Sequence, residues 1–246
     1  MTEQEIFYQT VKAYGLDKEP FELRFLNGFK GGIRYGYFTD VDKAYEVVKN
    51  YWRRFPCYFT LQEINPAITA RCLNCMEQTK SVTGDADVLN YRYLHIDIDP
   101  VRPARIQATE EEVQLAMNRA IEVNKFLREI MGFPAPLIVF SGNGVTLDYR
   151  VKRIVANDEN KKVMKDVLQV LSLLFSDDKA CIDTTVHNAS RIIKFAGTIS
   201  AKGSNTPERP HRYSKILKLP QDTSEVTKNQ LVHIASLMEE LSNGKK

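Results

Sequence analysis

A chain of 246 residues, 43% hydrophobic with a formal charge of +3, is long enough for one substantial domain or two small lobes sharing a cleft, and no apolar run in it approaches membrane-spanning length. Four cysteines in a chain of this size do not make a disulfide scaffold, so a reducing cytoplasm is expected. An N-terminus carrying Glu3 and Glu5, with no small-residue cleavage site, lacks signal-peptide character.

Residues 22–40 read as strand, glycine-rich turn and strand, punctuated by Gly28, Gly31 and Gly32, with Ile33, Tyr35 and Tyr37 alternating. A helix is predicted over 41–54 and a short apolar strand over 57–61. Cys72 and Cys75 then form a C-x-x-C pair. A structural zinc normally takes four ligands, and Cys57, Cys181 and the four histidines are too scattered to complete a set. Two cysteines one helical turn apart read more simply as core residues.

The run Leu94-His95-Ile96-Asp97-Ile98-Asp99-Pro100 is the most informative part of the chain. Residues i and i+2 of a strand project from one face, so Asp97 and Asp99 stand side by side at a strand end. Adjacent carboxylates repel and resist burial unless a divalent cation shares them, and hard cations such as Mg²⁺ or Mn²⁺ take oxygen ligands. The same alternation also describes an ordinary half-exposed strand, with His95 merely flanking it.

Thr109 and Glu112 form a capping box that opens a helix with an apolar stripe through Val113, Ala116, Met117, Ala120, Val123, Leu127 and Ile130, ended by Gly132 and Pro134. A compact strand over 137–140 leads into Ser141-Gly142-Asn143-Gly144, a turn able to approach a ligand closely, and a strand follows over 145–151. Residues 161–175 read as a helix presenting Val163, Val167, Leu171 and Leu174 to the core, and 192–196 and 213–219 as strands. A last amphipathic helix begins near Thr223 and carries Leu231, Ile234, Met238 and Leu241. The mixed order of strands and helices indicates an α+β protein, with a core over 1–220 and a C-terminal helix over 221–246.

Charge is unevenly placed. Between Ser190 and Lys218 lie Arg191, Lys194, Lys202, Arg209, Arg212, Lys215 and Lys218 against the single acid Glu208, a net of +6, so the rest of the chain carries −3 of the overall +3. A basic, glycine- and proline-interleaved segment on an otherwise acidic protein suggests a site for polyanions.

Taken in order, Asp97 and Asp99, the Ser141–Gly144 turn, Asp183 after an apolar pair, and the basic stretch from Lys194 to Arg212 resemble the archaeo-eukaryotic primase (AEP) superfamily, specifically the primase-polymerases of phages, plasmids and CRISPR-linked loci. That family is similar in three motifs: a D-x-D strand, an S-G-x-G turn followed by a strand bearing histidine, and a later strand with one aspartate. The resemblance extends over roughly residues 30–220, including Gly36-Tyr37-Phe38-Thr39-Asp40, Tyr58-Phe59-Thr60-Leu61 and Asp99-Pro100-Val101-Arg102-Pro103. S-G-x-G alone is a weak signal.

The resemblance implies a two-lobed catalytic core, an N-terminal α/β lobe packed on a lobe similar to an RNA-recognition motif, with the site in the cleft between them. It implies template-directed primase-polymerase activity, nucleotidyl transfer from nucleoside triphosphates to a 3′-hydroxyl, with primers initiated on single-stranded DNA. Asp97, Asp99 and Asp183 would be catalytic and hold a two-metal Mg²⁺ or Mn²⁺ site. Lys194, Lys202, His211 and Arg212 would bind the triphosphate, Arg191 would help or brace Asp183, and the backbone N–H groups of Asn143 and Gly144 would add anion contacts beside Ser141. Expected partners are a single-stranded template and primer, nucleoside triphosphates, and a helicase or CRISPR adaptation proteins.

One departure stands out: where the family places histidine two positions after the second glycine, this chain has Thr146, on a strand face shared with Asp148 and Arg150. Threonine donates a hydrogen bond but carries no positive charge, so triphosphate binding is expected to be weakened or reorganised, with His211 compensating. Two other readings compete. One is a nucleic-acid-binding replication or defence module whose altered turn has abolished synthesis, the other a metal-dependent nuclease on the same carboxylates. The complete acidic trio separates the enzymes from the binding module, and the basic segment argues against the nuclease.

Overall fold

The structure, a computed structural model, describes residues 1–26, 32–79 and 81–243, without the side chains of Thr79 and 239–243. Gly28 and Gly31 lie outside the described residues, as does the side chain of Leu241. The chain begins with α1 (Glu3–Tyr14), β1 (Phe21–Phe25), β2 (Ile33–Phe38), α2 (Val41–Val48), β3 (Cys57–Thr60), β4 (Glu63–Ile64), β5 (Glu77–Thr79) and the long β6 (Val88–Pro100). Then come α3 (Glu110–Glu129), β7 (Leu137–Phe140), β8 (Val145–Val155), α4 (Asp158–Phe175), β9 (Ala180–Ile182), β10 (Ile192–Lys194), β11 (Ile199–Ser200), β12 (Arg212–Tyr213), β13 (Lys215–Lys218) and α5 (Lys228–Asn243).

Two large sheets organise these elements, with β11 and β12 forming a separate two-stranded ribbon. One runs β10-β3-β1-β2-β5; the other runs β13-β7-β8-β6-β4, with β9 pairing the far end of β6. Each has its own apolar core. Phe7, Val11 and Tyr14 of α1 pack with Phe59, Trp52 and Phe195 on the first sheet. Ile96, Ile98, Leu147 and Tyr149 pack with Val123, Leu127, Val167 and Leu171 of α3 and α4 on the second. Leu137, Val139 and Tyr93 of the second sheet join the first cluster, which fastens the two layers together.

Local chemistry explains the helices. Thr2 and Glu5 close a capping box on α1, and Gly15, at φ 65°, closes its other end in the left-handed conformation. The Thr109–Glu112 box is present as the sequence predicts. Helix α2 stops at Val48, shorter than the predicted 41–54, and residues 49–54 continue as turns that bury Trp52. In α4 the buried face is Met164, Val167, Leu168 and Leu171, whereas Leu174 is 42% exposed, so the apolar stripe is rotated from the predicted one. The predicted 213–219 strand is split into β12, which pairs with β11, and β13, which pairs with β7. Leu231 and Ile234 of α5 are fully buried in the second core, while Met238 packs against it.

Candidate active site

Strand β6 alternates Ile96 and Ile98, both fully buried in the core, with His95, Asp97 and Asp99 on the opposite face, where they meet a cavity of about 160 Å³ between the two sheets. The cavity is walled on the second sheet by Val139, Ser141, Asn143 and Thr146, and on the first by Tyr58, Ile192, Ile193 and Lys194. Asp183, Val186, Arg191 and Lys202 complete the rim, and Tyr14 reaches in from α1.

Three pairings place the acids. Asp97 lies opposite Thr146 on β8, and Asp99 opposite Cys181 on β9. The Asp183 N–H donates to the Asp97 carbonyl at 2.9 Å, carrying the strand order just past β9. Burial first, and then the charge of Asp99, push the Asp97 carboxyl up to about 7, with Asp183 adding to the repulsion. One oxygen of Asp183 is occupied: Oδ1 accepts from the Thr185 N–H at 2.8 Å and the Thr185 hydroxyl at 2.7 Å. Among the described residues, the carboxylate oxygens of the aspartate trio do not all lie within 4.8 Å of one another. The three acids share one cavity but are spread across it.

Facing them are cations. Burial, and then Lys202, pull Lys194 down to about 8. Arg191 donates from Nη2 to the Thr185 carbonyl at 2.6 Å, bracing the loop that carries Asp183, while its Nε is buried without a partner among the described residues. Arg102 reaches Asp99 Oδ1 at 3.5 Å and the Pro100 carbonyl at 3.2 Å.

The Ser141–Gly144 turn is built for close approach. A Cβ at Gly144 would press on the Ile98 carbonyl and lie 2.6 Å from Asp99 Oδ1, and one at Gly142, where φ is +101°, would collide with Ser200. The Asn143 and Gly144 N–H groups, expected to contact an anion, are already turned to the Ser141 hydroxyl at 3.4 and 3.1 Å. The Asn143 side chain is likewise engaged, accepting from Ala108 N at 2.8 Å and donating to Ser200 Oγ at 3.0 Å.

The structure thus brings Asp97, Asp99, Asp183, Ser141, Asn143, Thr146, Arg191, Lys194 and Lys202 to one cavity. His211, Arg212 and Gly144, which abuts Asp99, are not among its lining residues. Arg212 donates to the Ala108 carbonyl at 2.7 Å and to Glu110 at 3.2 Å, and the His211 ring sits 2.9 Å from the Gly203 carbonyl. Acids at the start of α3 capture this part of the basic segment: Arg209 makes a bidentate pair with Glu112 at 2.7 and 2.8 Å.

The imidazole that does reach the cavity is His95, which the sequence left as a flanking residue. It is 6% exposed and lies 2.5 Å from Asp148, and Asp148 also accepts from Tyr14 at 2.6 Å and Thr146 at 3.2 Å. Burial pulls the His95 ring down, the Asp148 charge and hydrogen bond push it up, and the net shift is upward. Tyr14 and Tyr58 were also missed, and Asp148, placed by the sequence on the face of Thr146, was given no role. The alternation H-x-D-x-D placed His95 on the acids' face and was the signal for it.

No protein-family model and no curated protein sequence matches the chain. Solved structures do. The AEP domain of the cyanophage S-2L primase-polymerase superposes with a TM-score of 0.55 at 12% identity, covering 94% of this chain and 97% of that one. Primase RepB′ superposes at 0.50 with 11% identity, covering 99% of this chain and 66% of that one. The chain therefore has the α+β fold of a primase-polymerase AEP domain. No described helix is long and apolar enough to cross a membrane.

Proposed function

We propose that this chain is a template-directed DNA primase-polymerase, transferring nucleotides from nucleoside triphosphates to a 3′-hydroxyl and initiating primers on single-stranded DNA. The observation that carries the reading is the meeting of Asp97, Asp99 and Asp183 in one cavity opposite Arg191, Lys194 and Lys202, on the fold of a primase-polymerase AEP domain.

The donor set fits hard divalent cations such as Mg²⁺ or Mn²⁺: three carboxylates line one cavity, and Asp97, pushed up to about 7 by desolvation and then by the charge of Asp99, is what such a cation would relieve. Asp97, Asp99 and Asp183 would hold the ions. When bound, they lower the pKa of the attacking hydroxyl and neutralise charge on the α-phosphate and the leaving pyrophosphate. The protein's own groups do the rest. Lys202 and Arg191 bring positive charge to the triphosphate, and Lys194, pulled down to about 8 in the protein alone, gains charge as the polyanion enters. Thr146, without a charge, leaves His95 as the imidazole lining the cavity, held in place by Asp148, which Tyr14 also contacts.

Incubation with template, labelled nucleotides and Mn²⁺ or Mg²⁺ tests this. Extension of a primer, and new products on an unprimed template, are expected. Binding without turnover would show a nucleic-acid-binding module, and shortening of the strand a nuclease, and either overturns the proposal.

A further inference from the structure

The C-x-x-C pair takes no part in the cavity, yet with Glu77 it forms a compact cluster of potential metal donors. Cys72 closes the 3-10 turn Pro66–Arg71, and Cys75 lies in the bend before β5, so the pair does not sit on a helix as its spacing suggested. The two Sγ atoms are 3.0 Å apart. Those sulfurs and a Glu77 carboxylate oxygen all fall within 4.8 Å of one another, and no other trio of histidine, cysteine or acidic donors among the described residues does so.

The backbone holds this arrangement in advance. Tyr37 N donates to the Cys72 carbonyl at 2.9 Å, and Asn74 N donates back to the Tyr37 carbonyl at 2.7 Å. Asn74 adopts φ 53°, and its side chain accepts from Thr39 N at 3.1 Å. Gly36 has no Cβ to stop the Cys75 carbonyl from pressing onto β2. Cys72 is 3% exposed, Cys75 half-buried and Glu77 exposed, so the cluster has a buried floor and an open mouth.

We propose that Cys72, Cys75 and Glu77 form a binding site for Zn²⁺, as two thiolates and one carboxylate with the fourth position open to water. Tetrahedral Zn–S bonds of about 2.3 Å set two sulfurs about 3.8 Å apart, within about 1 Å of side-chain movement from the observed separation. Binding releases two thiol protons per ion, and no electron changes hands. Thiolates select zinc over magnesium or manganese, so this site and the aspartate cavity would take different ions. The bound ion would clamp the bend at 72–77 against β2 in the first sheet.

Titration of the fully reduced full-length chain with Co²⁺ tests the site without reference to activity. One equivalent is expected to give a thiolate-to-cobalt charge-transfer band with strong tetrahedral d–d bands, erased by one equivalent of Zn²⁺. Cys75→Ser should lose the charge-transfer band and Glu77→Gln should bind more weakly, whereas Asp97→Asn with Asp99→Asn should keep the band. In parallel, Zn²⁺ should protect Cys72 and Cys75 from alkylation while leaving Cys57 and Cys181 unchanged, an arm that needs no variant and decides the matter if Cys75→Ser does not fold. Absence of the band in the reduced chain, its survival in Cys75→Ser, or unaltered alkylation of Cys75 with Zn²⁺ present overturns the proposal.

Discussion

His95 Nδ1 lies 2.5 Å from Asp148 Oδ1, across the β6–β8 ladder and on the face that carries Asp97 and Asp99. Asp148 is 1% exposed and gathers three side chains, those of His95, Tyr14 and Thr146, so the carboxylate fixes the imidazole and ties α1 to the second sheet. Asp148→Asn replaces one acceptor oxygen with a donor and frees the ring. Its turnover in primer extension should fall at least about tenfold with the fold intact, as for groups that position a catalytic neighbour. Tyr14→Phe removes one hydrogen bond to a charged group and should cost about 1.5–3 kcal/mol in urea unfolding. An unchanged midpoint would mean that Tyr14 does not support Asp148.

Asp97 sets a pH dependence for the metal-free protein. Its folded value of about 7 lies above the ordinary aspartate value near about 4. Between the two, the native state keeps a proton that the unfolded state has lost, so this group's stabilising effect fades as pH rises from about 4 through about 7. Lys194 acts in the opposite sense: with a folded value of about 8 against an ordinary value of about 10.4, it lets stability recover as pH rises through that window. Thermal melts without divalent ions should therefore pass through a minimum near pH 7–8. Asp97→Asn should remove the falling limb and raise the melting temperature at pH 8 by about 2–4 °C for each kcal/mol of repulsion relieved. A variant that melts lower at pH 8 would show that Asp97 is not strained by its neighbours.

Gly144 is a packing requirement. With a Cβ 2.6 Å from Asp99 Oδ1 and pressed on the Ile98 carbonyl, Gly144→Ala must shift either the turn or the acid. The expected result is a loss of turnover of at least about 100-fold, the size seen when preorganised charge is displaced, in a protein whose circular dichroism is unchanged. Near-normal turnover would place Asp99 outside the chemistry.

Arg209 anchors the loop that carries Lys202. Its bidentate pair with Glu112 and its 2.6 Å bond to the Gln107 carbonyl hold residues 201–211 against α3. Arg209→Ala should raise the KM for nucleotide several-fold while leaving kcat within about twofold, the pattern of a lost ground-state contact. An equal loss in kcat would put Arg209 in the reacting centre.

Much of this molecule was legible where the code is local. The Thr109–Glu112 box, the strand Leu137–Phe140 and the alternation around Asp97 each depend on neighbours within a few residues. The same logic was available for α1, where Thr2, Glu5 and Gly15 mark both ends, yet the first twenty residues went unread as a helix. What stayed hidden is long-range. The pairing of His95 with Asp148 spans 53 residues and depends on strand register, which composition does not state. Counting charge between Ser190 and Lys218 likewise treated Arg209 and Arg212 as free, whereas Glu112 and Glu110 on α3 meet them.

The most direct measurement is primer extension by the purified chain on a single-stranded DNA template with labelled nucleotides and Mn²⁺, beside Asp97→Asn, Asp99→Asn and Asp183→Asn. The account predicts strand growth by the natural chain and a fall of at least about 100-fold in each variant. Undiminished growth in any of the three, or no growth by the natural chain, would contradict it.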